Sequence, residues 1–332
     1  FDPAKEEESR LRLFYSEAEV RHRCDIYGLT ALKSFTDEVE FVSLGSYCLV
    51  TMALQSLGLR RSAYPLDYTR SSARGVIDLF ATRFADFLTG TPIATPEHAM
   101  SFQDTAWGGS FWHHDISDPA ISVAMHRRVD RLLGVTGASN AKPRIFCRAA
   151  NSTSELDLTL ELLDVLQSTY TGPVRLLILI ENQAREGAIR VQGEHDLLFY
   201  RVGHKYSFAS CHEERMLGYM EPLALAIKYW AGEPTLMAQV STLADIGRVC
   251  DTIYGGDPAN TLFAAALQEP ACQACPTPTN RQVPSMLSGV PHSLGIFHED
   301  ARDDEDDWFL LSKLLPRNLV KVLEMHLSAS AF

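Results

Sequence analysis

Val174-Arg175-Leu176-Leu177-Ile178-Leu179-Ile180 is apolar at odd and even positions alike. Successive side chains of a strand point to opposite faces, so a strand of this composition must be covered on both sides. Central strands of a parallel sheet meet that demand. The neighbouring segments agree. Arg144-Ile145-Phe146-Cys147 reads as a strand, a Leu-rich stretch to about Tyr170 reads as a helix, and Leu197-Leu198-Phe199-Tyr200-Arg201-Val202 reads as another strand. Ser152 and Glu155 have the spacing of a capping box for that helix. Strand, helix and strand at this spacing form a right-handed βαβ unit. The expected fold class is α/β, a mostly parallel sheet flanked by helices in three layers.

Upstream, Glu40 to Gly45 is a short β-like run that ends in glycine. Leu49, Val50, Ala53, Leu54 and Leu57 then recur at helical spacing, with Gly58 as the stop. Ser46 is the expected N-cap, which puts Cys48 in the first turn. Ser71 or Ser72 caps a second helix with Val76, Ile77, Phe80, Phe84, Phe87 and Leu88 on its apolar face. Residues 90–118 show no period. A third helix is expected near 119–134, with Arg127, Arg128 and Arg131 among its polar positions. A further helix from Glu213 to Trp230 is expected to be interrupted at Pro222.

Residues 1–38 read as a helical extension, 39–235 as the α/β domain, and 236–332 as a C-terminal extension of helix and loop. The last includes a Pro/Gly/Ser-rich stretch over 255–292, an acidic run from Glu299 to Asp307 and a final helix to about Leu327. The chain opens on Phe1 rather than Met, so its natural start is expected to lie upstream.

The net charge of −12 and pI near 5.4 argue against a nucleic-acid partner and against an anionic membrane surface. Seven widely spaced cysteines read as reduced thiols, which fits a cytoplasmic setting. Cys272-x-x-Cys275 supplies half a zinc site, to which Cys250 or His292 would have to contribute, and the expectation is no metal. The chain has no Walker motif and no complete G-x-G-x-x-G, so no nucleotide or other cofactor is expected. The expected partner is a peptide or small-molecule substrate.

Chemistry concentrates in Ser43-Leu44-Gly45-Ser46-Tyr47-Cys48. A thiol in the first turn of a helix meets unpaired N–H groups and the positive end of the dipole, both of which favour thiolate. Those N–H groups, with Gly45, Ser46 and Tyr47 around them, could also hold an oxyanion. A cysteine nucleophile needs a base, and His113-His114-Asp115 lies in the aperiodic stretch. Glu181 and Asn182 close the Val174–Ile180 strand, at the strand end where open parallel sheets bind ligands. With Arg148 they are expected substrate contacts.

These segments carry a resemblance. Phe41 to Cys48, then Ala53-Leu54, then Tyr64-Pro65-Leu66-Asp67-Tyr68, resemble a family of putative papain-like cysteine peptidases marked by an SLGS-x-C turn, a PFDW-like segment and a later HD. Leu66 and Tyr68 stand where that segment carries Phe and Trp. Arg127, Arg128 and Arg131, then Ile145 to Arg148, are similar to the family's basic helix and following strand. The resemblance implies Cys48 as nucleophile and His114 as general base. Asp67 is the candidate third group to orient the imidazole, and His113 is the fallback base and otherwise an expected substrate contact. It implies a papain-like α+β fold, against the parallel pattern read above. It implies a cysteine-dependent hydrolase or acyl transferase. The alternatives are an α/β transferase on a sugar-type substrate, or a non-catalytic binding protein, in either of which Cys48 is merely packed.

Overall fold

The computed structural model describes residues 15–46, 48–93, 101–150, 152–207 and 212–253. Helix α1 (Glu17–Tyr27) starts at a capping box of Ser16 and Glu19 and stops at left-handed Gly28. A short α2 (Lys33–Glu38) leads into β1 (Glu40–Ser43) and α3 (Cys48–Ser56). Next come β2 (Thr69–Arg70), α4 (Ala73–Ala81), β3 (Thr91–Ile93), β4 (Ser101–Gln103), β5 (Ser110–Phe111) and α5 (Pro119–Leu132). The rest is β6 (Arg144–Ala150), α6 (Thr159–Thr169), β7 (Val174–Gln183), β8 (Gly187–Val191), β9 (Leu197–Gly203), α7 (His204–Ser207), α8 (His212–Trp230), β10 (Ala238–Val240) and α9 (Ala244–Val249).

Six strands form one sheet in the order β1-β6-β7-β9-β8-β10. β1, β6, β7 and β9 are mutually parallel, as the apolar pattern requires. β8 runs antiparallel to β9, and β10 follows β8. Alternation along β6 assigns its two faces. Ile145, Cys147 and Ala149 join Leu177, Leu179, Leu198 and Tyr200 in a core covered by Val50, Ala53 and Leu54 of α3 and Met220, Leu223 and Ile227 of α8. On the opposite face Phe146 meets Phe80 of α4 at 6.3 Å and Tyr170, just past α6, at 5.6 Å between ring centroids. Each such side chain, fully buried, contributes about 1.5–3 kcal/mol. The sheet is therefore sandwiched between helices, and the antiparallel barrel of a papain-like α+β fold is not what these strands build.

A second sheet was not legible in the sequence. β2, β5, β4 and β3 form an antiparallel ladder in that order, across the stretch that shows no period. Its strands are two or three residues long, too short for an alternation to register. β10, three residues long, escaped for the same reason and carries the large sheet past residue 235, while the five residues of β8 (Gly187–Val191) bury Ala188 and Ile189 in succession and so show no alternation.

Other expectations need correction. α4 ends at Ala81, and Arg83, Phe84 and Asp86 adopt left-handed φ of 53°, 63° and 56°. Phe84 and Phe87 still reach the core, through a turn rather than a helix face. Arg128 and Arg131 are buried, and Arg131 donates to the Ala63 carbonyl at 2.6 Å. Pro222 lies inside an unbroken α8. Ser152 caps only a 3-10 turn (Thr153–Leu158) and makes no side-chain cap bond, its hydroxyl pairing with that of Ser154 at 2.7 Å. The 1–14 segment, Cys272, Cys275, His292, the 255–292 stretch, the acidic run and the final helix lie outside the described residues. None of the described helices is long and apolar enough to cross a membrane.

Candidate active site

The turn between β1 and α3 is built from two consecutive left-handed residues, Gly45 at φ 76° and Ser46 at φ 77°. Ser46 is thus not the N-cap, since α3 begins two residues later at Cys48. Tyr47 lies outside the described residues. Ser46 instead donates its N–H to Ser71 Oγ at 2.9 Å, and that hydroxyl donates to the Leu44 carbonyl at 3.0 Å. A Cβ on Gly45 would stand 2.7 Å from Ser71 Oγ and 3.1 Å from the Leu66 and Thr69 carbonyl oxygens. Only glycine fits that close approach and that φ. Gly45→Ala is expected to cost about 2 kcal/mol, read as a lower denaturant midpoint at unchanged slope. A midpoint equal to that of the wild type would show that the turn can relax.

Arg148 underpins the turn. It is 1% exposed. It donates to the Leu44 carbonyl at 3.2 Å, to Ser71 Oγ at 3.0 Å and to the Ser71 carbonyl at 2.8 Å. It also grips both Glu155 oxygens at 3.1 Å. The same carboxylate accepts the Ala73 N–H at 2.6 Å, which is why no capping box forms. The expectation that Arg148 contacts substrate gives way to a buried clamp.

Asp67 packs against α3 at Thr51, one turn past Cys48, where the Thr51 hydroxyl donates to the Asp67 carbonyl at 2.6 Å. Its buried carboxylate accepts from Arg60 Nε and from the Tyr64 N–H, each at 2.8 Å. Burial pushes the carboxyl up, and Arg60 is the strongest group pulling it back. Asp67 therefore serves Arg60 and the 64–67 turn. It does not orient His114 through Nδ1, which is buried with no hydrogen-bond partner.

The two histidines flank the Tyr68 ring, His113 at 6.0 Å and His114 at 6.2 Å between centroids. His113 is half-buried and His114 is 4% exposed. Burial, and then the Arg128 charge, hold the His114 imidazole well below its ordinary pKa. Cys48 itself departs from expectation. Burial pushes its thiol above the ordinary value of 9.0, and outweighs its own backbone N–H and Arg70, which pull it down. A short helix start in an apolar setting does not offset lost hydration.

Every described element that builds this turn lies within one stretch of matching sequence. Residues 39–180 match the family model described as putative papain-like cysteine peptidase. This is the family that the Ser43–Cys48 turn resembles, and its match spans Cys48, Asp67, His113, His114 and Arg148. No curated protein and no solved structure matches the chain. The papain-like link rests on the family's name, while the described sheet is mostly parallel.

The family match stops one residue short of Glu181. The β7–β9 ladder slips between Ile180 and Gln183, and Asn182 takes φ 55°. Its N–H donates to Ser207 Oγ at 3.0 Å, whereas its Oδ1 is buried without a partner. Glu181 accepts from the Tyr219 hydroxyl, and burial raises its pKa. Gln183 pairs through its side-chain amide with both the N–H (2.7 Å) and the carbonyl (3.0 Å) of Asp251. β7 lies two strands from β1, about 10 Å at the usual strand spacing. Cys250 is a buried free thiol, and among the described residues no three His, Cys, Asp or Glu side chains are grouped to hold a metal. Sequence reasoning missed Arg60, Tyr68, Arg70, Trp112 and Gln183. Tyr68 lies in the Tyr64–Tyr68 segment but carried no role there, and Arg70 and Gln183 take their places through partners distant in sequence, Trp112 and Asp251.

Proposed function

We propose that this chain is a cysteine-dependent hydrolase or acyl transferase acting on a peptide, amide or ester, with Cys48 as nucleophile and His113 as base. The observation that carries the reading is Cys48 at the first position of α3, behind a turn held rigid by Ser71 and Arg148. First-turn N–H groups lack helical acceptors and can receive an oxyanion. His113 is favoured over His114 because a base must carry a proton. Burial and Arg128 oppose an imidazolium at His114, while His113 is half-exposed to water.

In this scheme the sulfur attacks a carbonyl carbon as its proton passes to the imidazole. The oxyanion collapses, the carbon–leaving-group bond breaks, and the imidazole returns the proton to the leaving group. Water or an acceptor nucleophile then releases the acyl group. Glu181 and Asn182, on the same edge of the sheet, would contact the far end of the substrate. The raised thiol means that the resting cysteine is protonated, so base assistance during attack is required rather than a preformed ion pair.

p-Nitrophenyl acetate tests the scheme. A burst of nitrophenol and a mass increase of one acetyl group mapped to Cys48 are expected. Absence of that adduct would return Cys48 to a packed thiol in a binding protein or transferase. Iodoacetamide gives an independent check. Carbamidomethylation at Cys48 should be slow at pH 7 and climb through pH 9 as thiolate forms above the ordinary thiol range. A rate already at plateau by pH 7 would contradict the raised thiol.

A further inference from the structure

We propose that Arg70 is the cationic partner of Cys48, a positioning residue that stabilises the negative charge developing on sulfur as its proton passes to histidine. The inference rests on the Cys48 chemistry proposed above. Arg70 belongs to β2, and β2 lies directly against the nucleophile turn: the Thr69 carbonyl is 3.1 Å from where a Cβ on Gly45 would stand. In the small sheet Arg70 sits opposite Ser110 of β5, and Trp112 follows two residues on. The Arg70 guanidinium carbon lies 4.2 Å from the Trp112 ring centroid. Trp112 is buried and fixed by its indole N–H on Ser110 Oγ at 2.7 Å.

An indole face orients a guanidinium plane without using the N–H groups on its edge. The small sheet thus fixes the cation next to the strand residue that packs against the Gly45 turn. Of the side chains whose charge acts on Cys48, Arg70 is the one drawing it toward thiolate. Arg148 is bound to Glu155 and Ser71, Arg60 to Asp67, and burial and Arg128 keep His114 neutral, while His113 packs on the edge of Tyr68. A thiol raised by burial gains most from such a partner, because a charge pair is screened least where water is excluded.

The test is site-mapped carbamidomethylation of Cys48 between pH 7 and pH 10 in the full chain, with half-buried Cys24 as internal reference. Arg70→Gln should slow Cys48 at least roughly threefold at pH 8 and move its midpoint up, a tenfold loss corresponding to about one pH unit. Arg70→Lys should restore part of the rate. Trp112→Leu, which leaves the cation but removes its platform, should fall between wild type and Arg70→Gln. Cys24 should keep its rate throughout, which separates a local effect from unfolding. A Cys48 profile unchanged in both Arg70→Gln and Trp112→Leu overturns the proposal. So does a profile unchanged in Arg70→Gln while Km for an anionic ester rises, which would make Arg70 a substrate anchor instead. Alkylation needs no substrate, so failure of the acetyl-adduct experiment with the shift intact would remove the hydrolase reading alone. Acetylation of Cys48 with no shift would remove Arg70 alone.

Discussion

Arg148→Met is expected to destabilise the protein by about 3–5 kcal/mol, the usual effect of removing one member of a buried ion pair. Glu155 would lose both contacts with the guanidinium while keeping the Ala73 N–H, and the Leu44 and Ser71 carbonyls would each lose a donor. Lysine cannot substitute, because one ammonium cannot reach Glu155, Ser71 and Leu44 from a single planar fork. Urea denaturation measures the loss. A second change, Glu155→Gln, should recover part of it by removing the uncompensated charge, so the two losses should not add. A loss under about 1 kcal/mol for Arg148→Met would mean that the turn is held by backbone geometry rather than by the clamp.

Cys48→Ala should reduce p-nitrophenyl acetate turnover by three orders of magnitude or more, and His113→Ala by a comparable factor, with the double variant no worse than either. Residues that act as one unit give losses of this non-additive kind. His114→Asn is the informative control. Its buried imidazole is expected to matter for stability more than for turnover, so kcat should stay within about tenfold of wild type. If His114→Asn removes turnover and His113→Ala does not, the base is His114 in spite of its burial. If Cys48→Ala keeps full activity, the cysteine mechanism is wrong.

The parallel strands were readable because a strand covered on both faces has to be apolar at successive positions, and 174–180, 144–147 and 197–202 are. Helices α3 and α5 announced themselves through spacing and breakers, and the Ser43–Cys48 turn through its glycine ahead of an apolar run. The match of residues 39–180 to the family model was legible for the same reason: it depends on short ordered motifs, which are a property of sequence.

What the sequence could not decide was which polar residues are buried and what meets them there. Arg148 reads as a substrate contact and Glu155 as a helix cap until the chain folds back, the two pair directly, and Ser71, 77 residues from Arg148, joins the same guanidinium. Asp67 faces Arg60 rather than a histidine, because the 64–67 turn closes on itself. The helix start argues for a thiolate at Cys48, yet burial, a quantity that exists only in the tertiary structure, outweighs it. Local pattern determines which segments become strands and helices. Desolvation and long-range pairing determine which of their side chains can carry charge.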